Sequence, residues 1–150
     1  MSPDAPVDGR ELGRRLQEPL RRRRKLHLAI EIFATYLRLR FVLARRPLPA
    51  VLADLRRDAA QRPEVTVDDQ VIGIRLGRAV SRALSPLPFD SRCLVRSLVL
   101  TRMLARRGIP ARLVIGVEPG PEFSAHAWVE ADGVPLLPAD DTRYSRITEL

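Results

Sequence analysis

The chain has 150 residues with 26 basic and 18 acidic side chains, a formal charge of +8, and it is 45% apolar and 29% charged. That is enough sequence for one ordinary core, and both fractions sit near the globular average, which argues against a disordered, collagenous or membrane-embedded chain. The one cysteine, Cys93, excludes an intramolecular disulfide, a Cys-rich zinc site and a Cys-x-x-Cys redox pair, and it fits a reducing, cytoplasmic setting.

Residues 1–20 are polar, contain Pro3, Pro6 and Pro19, and read as a flexible leader with a short helix from Arg10 to Gln17. Asp4 and Asp8 lie where a secretory signal would need a basic run followed by an apolar one, so no signal is expected. The run Arg21 to Lys25 then opens a helix over Leu26 to Ala44, closed by Arg45-Arg46-Pro47. It is long enough to span a bilayer, but Glu31, Arg38 and Arg40 would each cost about 2.5–3.5 kcal/mol near its centre, so a core helix is expected and membrane association is not favoured. A second amphipathic piece covers Ala50 to Ala60. A third covers Val67 to Leu84, where Gly73 and Gly77 permit close helix approach.

Beyond Ser85-Pro86-Leu87-Pro88 the texture changes. A helix from Ser91 to Arg107 is stopped by Gly108, with Pro110 just past it. Ala111 to Val117 alternates as a strand, Glu118-Pro119-Gly120-Pro121 must turn, Ser124 to Ala131 returns, and Asp132-Gly133 is a hairpin signal before Val134 to Leu137. The class is α+β in one domain: a flexible segment 1–20, a helical part 21–84, and a helix on a small antiparallel sheet over 85–150. There is no repeat and no glycine-rich phosphate loop, so no cofactor is expected.

Cys93 falls in the first turn of its helix, because Asp90 or Ser91 can cap it and the spacings Leu94, Leu98 and Val95, Val99 begin just after. Unpaired N–H groups and the positive end of the helix dipole favour a thiolate there, whereas the bland reading is a buried, inert cysteine. Strand alternation puts His126, Trp128 and Glu130 on one face, giving a base beside an aromatic wall. His27, the only other histidine, sits beside the arginine run and reads as structural. A carboxylate should orient the imidazole. If Ala131-Asp132-Gly133 is a three-residue loop, Asp140 falls on the His126 face, and if only Asp132-Gly133 turns, Asp141 does; the first is favoured.

The order of helix-borne cysteine, strand-borne histidine and later aspartate, in Cys93-Leu94-Val95-Arg96-Ser97-Leu98, Arg106-Arg107-Gly108-Ile109-Pro110-Ala111, Val114-Ile115-Gly116-Val117 and His126-Ala127-Trp128-Val129-Glu130, resembles the transglutaminase-like cysteine peptidases of lasso-peptide biosynthesis. The likeness is strong over residues 85–141, and Arg46-Pro47-Leu48-Pro49-Ala50-Val51 after a long helix looks like the N-terminal region of the stand-alone form. It implies a papain-like core in which Cys93, His126 and Asp140 cut the leader from a ribosomally made precursor peptide through a thioester, without metal or cofactor. It also implies two partners: a separate leader-peptide-binding protein and an ATP-dependent macrolactam cyclase.

Other readings compete with this one. Trp128 is expected to pack beside the site, and Arg92 and Arg96 to lie on a solvated face. The run Arg21 to Lys25 opposes the helix dipole and invites an acidic partner or lipid. A basic nucleic-acid module is disfavoured by 5% aromatic content and the absence of a recognition motif. A non-catalytic scaffold, or an amide transferase or deamidase on the same fold, shares every residue of the triad.

Overall fold

Among the described residues four helices precede a small sheet, α1 (Gly9–Arg45), α2 (Leu48–Ala59), α3 (Val67–Leu84) and α4 (Arg92–Arg106), then β1 (Arg112–Glu118), β2 (Ser124–Ala131), β3 (Val134–Pro135) and β4 (Ser145–Glu149). The computed structural model describes residues 9–59, 64–87, 92–118, 124–137 and 145–149. Two compact units divide it at 31/32, where the sequence reads as one domain. In residues 1–31 the described part is helical and exposes Leu26 and Ile30. The helix begins at Gly9 and continues through Pro19, so it is longer than expected. Proline there removes one backbone donor, but the Leu, Gln, Glu and Arg around it are strong helix formers.

Residues 32–150 contain the sheet and the core. Ile32 and Tyr36 on α1, Val51 on α2, and Leu76, Val80 and Leu84 on α3 are buried, as are Leu98, Met103 and Leu104 on α4. Helix α3 is capped by Thr66. Its hydroxyl accepts from the Asp69 backbone N–H at 3.2 Å, while the Asp69 carboxylate accepts from the Thr66 N–H at 3.0 Å and hydroxyl at 2.7 Å. Those two bonds, the backbone one first, hold the Asp69 carboxyl below its ordinary range. Gly77 lies where a Cβ would stand 1.9 Å from the carbonyl oxygen of Leu136, so α3 closely meets the backbone just past β3, where the sequence suggested the approach of another helix.

Helix α4 ends in a Schellman motif: the Gly108 N–H donates to the Ala105 carbonyl at 3.1 Å, and the Ile109 N–H to Leu104 at 3.1 Å. Gly108 supplies the required left-handed residue with φ +70°. The sheet order is β3-β2-β1-β4 and every pairing is antiparallel. β1 and β2 pair in register from Arg112↔Glu130 to Glu118↔Ser124, which reverses the chain across residues 119–123, themselves outside the described set. β4 flanks β1 with a register shift between Ile115 and Gly116. Sequence reasoning did not anticipate this strand.

Candidate active site

Cys93 is the second residue of α4 and is half-buried. Its expected caps, Asp90 and Ser91, lie outside the described residues. One turn later the Ser97 hydroxyl donates to the carbonyl of Ala127 at 2.8 Å, buried, and Thr101 donates back to Ser97 at 2.9 Å. Ala127 is the residue after His126, so this bond ties the turn that follows Cys93 to the strand position next to the histidine. A helical turn rises about 5.4 Å, so Cys93 lies about one turn, and His126 one residue, from the bond that joins their two elements.

His126 is half-buried on β2, and its ring stacks on Trp128 with centroids 5.9 Å apart and planes 18° from parallel. That offset stack fixes the plane of the imidazole. Trp128 is itself 1% exposed, and its Nε1–H donates to Glu130 Oε1 at 2.7 Å within the core. The face carrying His126, Trp128 and Glu130 is therefore a chain of supports, in which a buried carboxylate holds the indole and the indole carries the imidazole. The i, i+2, i+4 alternation made this face legible, but not the bond between its inner two members.

The hairpin register differs from the favoured expectation. Ala131 pairs with Val134 and Glu130 with Pro135, so Asp132 and Gly133 alone form the loop. Both have positive φ, +50° and +74°, the combination of a type I′ turn. Asp132 tolerates the left-handed region better than most side chains, which is why the shorter loop wins. The two-residue loop is the alternative under which the sequence put Asp141, rather than Asp140, on the His126 face, but β3 ends at Pro135. Both aspartates lie outside the described residues.

Arg96, expected on a solvated face, is half-buried, and its Nε is buried without a hydrogen-bond partner among the described residues. The side chain of Arg92 is outside the described set. Among the described residues, no group of three or more His, Cys, Asp and Glu side chains could hold a metal ion, and no helix is long and apolar enough to cross a membrane.

The family model described as Transglutaminase-like superfamily matches residues 33–149, almost the same span as the second compact unit. Among curated proteins, the microcin J25-processing protein McjB of Escherichia coli is 46% identical over 55 residues. That stretch is 37% of this chain and 26% of McjB, so the match spans about a quarter of the relative's length. No solved structure matches.

Proposed function

The chain belongs to the transglutaminase-like superfamily, and from that membership we propose that it is a cysteine peptidase that removes the leader from a lasso-peptide precursor. The observation that carries this reading is the Ser97–Ala127 hydrogen bond, which joins the helix of the single cysteine to the strand of the single sheet-borne histidine. The partial likeness to a microcin-processing protein supplies the substrate class.

In this mechanism His126 takes the proton of Cys93, and the thiolate attacks the carbonyl carbon of the amide joining leader to core. The tetrahedral oxyanion is received by backbone N–H groups of the first turn of α4, with that of Cys93 as the default donor. His126 then protonates the departing amine as the C–N bond breaks, leaving the leader as a thioester on Cys93. Water, deprotonated by His126, hydrolyses the thioester and frees the leader carboxylate. Stacking on Trp128 keeps the imidazole in one plane through both proton transfers, and an aspartate, Asp140 or Asp141, orients it. The freed core amine is the group a macrolactam cyclase would acylate at the expense of ATP, and a leader-binding protein would deliver the precursor.

The test is cleavage of a lasso-type precursor, with and without a leader-binding protein, read by mass spectrometry for wild type and Cys93→Ala. Cleavage by the wild type alone, leaving a free leader carboxylate, is expected. Cleavage that survives Cys93→Ala overturns the thiolate mechanism. A leader joined to an added amine would identify a transferase instead.

A further inference from the structure

Within residues 32–150, helices α1, α2 and α4 enclose an open cavity of about 150 Å³. Its α4 residues, Leu98, Arg102 and Arg106, lie roughly 100–180° around the helix from Ser97, on the side away from β2. Four exposed arginines, Arg38, Arg46, Arg102 and Arg106, ring it, and among the described residues Asp54 is the one carboxylate in the lining, so these lining residues carry three net positive charges. The floor is aliphatic: Leu39 and Val42 of α1 are half-buried, and Val51 and Leu98 are buried.

The chemistry of the lining selects its occupant. Guanidinium groups pair with carboxylates through charge-assisted N–H donors, and the cavity already contains one guanidinium–carboxylate contact, Arg46 Nη1 to Asp54 Oδ2 at 2.7 Å. Arg106 is held by donating from Nη1 to Thr35 Oγ1 at 3.2 Å, which orients its head in advance. The volume is well below the roughly 300–1,000 Å³ of small-molecule and cofactor sites, so it fits one or two side chains. A phosphodiester chain would meet a carboxylate, an aliphatic floor and no aromatic stacking surface.

We propose that this cavity is a docking site for an acidic polypeptide segment of a partner protein, seating a Glu or Asp carboxylate among the four guanidinium groups with a neighbouring aliphatic side chain on the floor. The site is independent of the peptidase reading. Arg102 follows Cys93 by nine residues on the same helix, about 13 Å along its axis, so a segment bound there grips the helix that bears the thiol.

The experiment is an NMR titration of the full ¹⁵N-labelled chain at about 20 mM salt, following the arginine Nε–Hε and α4 amide signals. The probe is acetyl-Leu-Glu-Glu-Leu-Leu-amide, compared with its Gln-for-Glu counterpart and with an oligothymidylate. Saturable shifts at Arg38 and Arg102 with the acidic peptide are expected, weakened about tenfold in the Gln counterpart and in the Arg38→Gln/Arg102→Gln variant. Arg75→Gln/Arg78→Gln, which removes equal charge from exposed positions on α3, should change affinity less than about twofold. Equal losses in the two variants, no saturation by about 10 mM peptide, or tighter binding of the oligothymidylate at the same arginines overturns the proposal. Far-UV circular dichroism of both variants confirms that they are folded.

Discussion

Replacing Gly77 by Ala separates two effects that normally travel together. In a helix interior the change should stabilise by about 0.5–1 kcal/mol through backbone entropy. Here the new Cβ would lie 1.9 Å from the Leu136 carbonyl oxygen and 3.0 Å from its carbon, and it must retreat by about 1.1 Å merely to reach the 3.0 Å limit for real Cβ contacts. Backbone cannot rotate aside, so α3 must lift, loosening Leu76, Val80 and Leu84 from the core. Overpacking of this kind costs typically 1–3 kcal/mol or more, and the net loss should be about 2 kcal/mol. In a domain of this size that is a fall in Tm of roughly 6–10 °C. Gly73→Ala is the control, because its Cβ would meet side-chain atoms of Leu136 rather than backbone, Cδ1 at 2.8 Å, Cδ2 at 3.0 Å and Cγ at 3.4 Å. It should stay within about 1 kcal/mol of wild type. Urea and thermal unfolding followed by circular dichroism measure both. A Gly77→Ala protein as stable as wild type would show that α3 does not rest on the Leu136 backbone.

At the other end of the site, Glu130→Leu leaves the buried Trp128 N–H without its acceptor and should cost about 1–3 kcal/mol in urea unfolding, whereas Glu130→Gln keeps an acceptor and should cost less. Equal losses would mean that the indole bond is not what Glu130 contributes. Asp140→Asn and Asp141→Asn, compared in the cleavage assay, should differ by at least about a hundredfold in kcat, the acid that orients His126 showing the larger loss. Equal activities would place the orienting acid elsewhere. Thr66→Ala should lower stability by about 1 kcal/mol at neutral pH. Because the folded Asp69 carboxyl is held below its ordinary range, its contribution is present above that range and is lost as pH falls through the lowered value. The difference between wild type and Thr66→Ala should therefore shrink in acid, and a difference that grows would reverse the assignment.

Much of this architecture was legible because local chemistry and global packing agree. Val67 to Leu84 reads as a helix from its own periodicity, Gly108 marks the end of α4, and Ser124 to Ala131 appears as a strand with the observed bounds. What escaped depends on contacts distant in sequence or on a single dihedral. The hairpin loop is two residues because Asp132 accepts φ +50°, a choice that Gly133 permits but does not dictate. β4 is five residues with little apolar pattern, and its strand character comes from pairing with β1. Arg96 looks solvent-facing on a charge-rich helix, yet its Nε is covered. Of the candidate site, the cysteine and the histidine face were visible as residues, while the Ser97–Ala127 bond that joins their helix and strand was not.

The sheet is not assembled in the order in which it is written. β1, β2 and β3 form a meander closed by short connections, but the far side of β1 is completed by β4, whose Thr148 pairs with Ile115 across more than thirty residues. Local hairpins close in microseconds, whereas pairing at such separation waits on a costlier loop closure. During synthesis the meander can form while the outer edge of β1 still offers a row of unmatched N–H and carbonyl groups to any neighbouring chain. The interval before β4 docks is the chain's window for self-association, and shortening that interval, rather than adding stability to the finished domain, is the lever on how much of it survives expression.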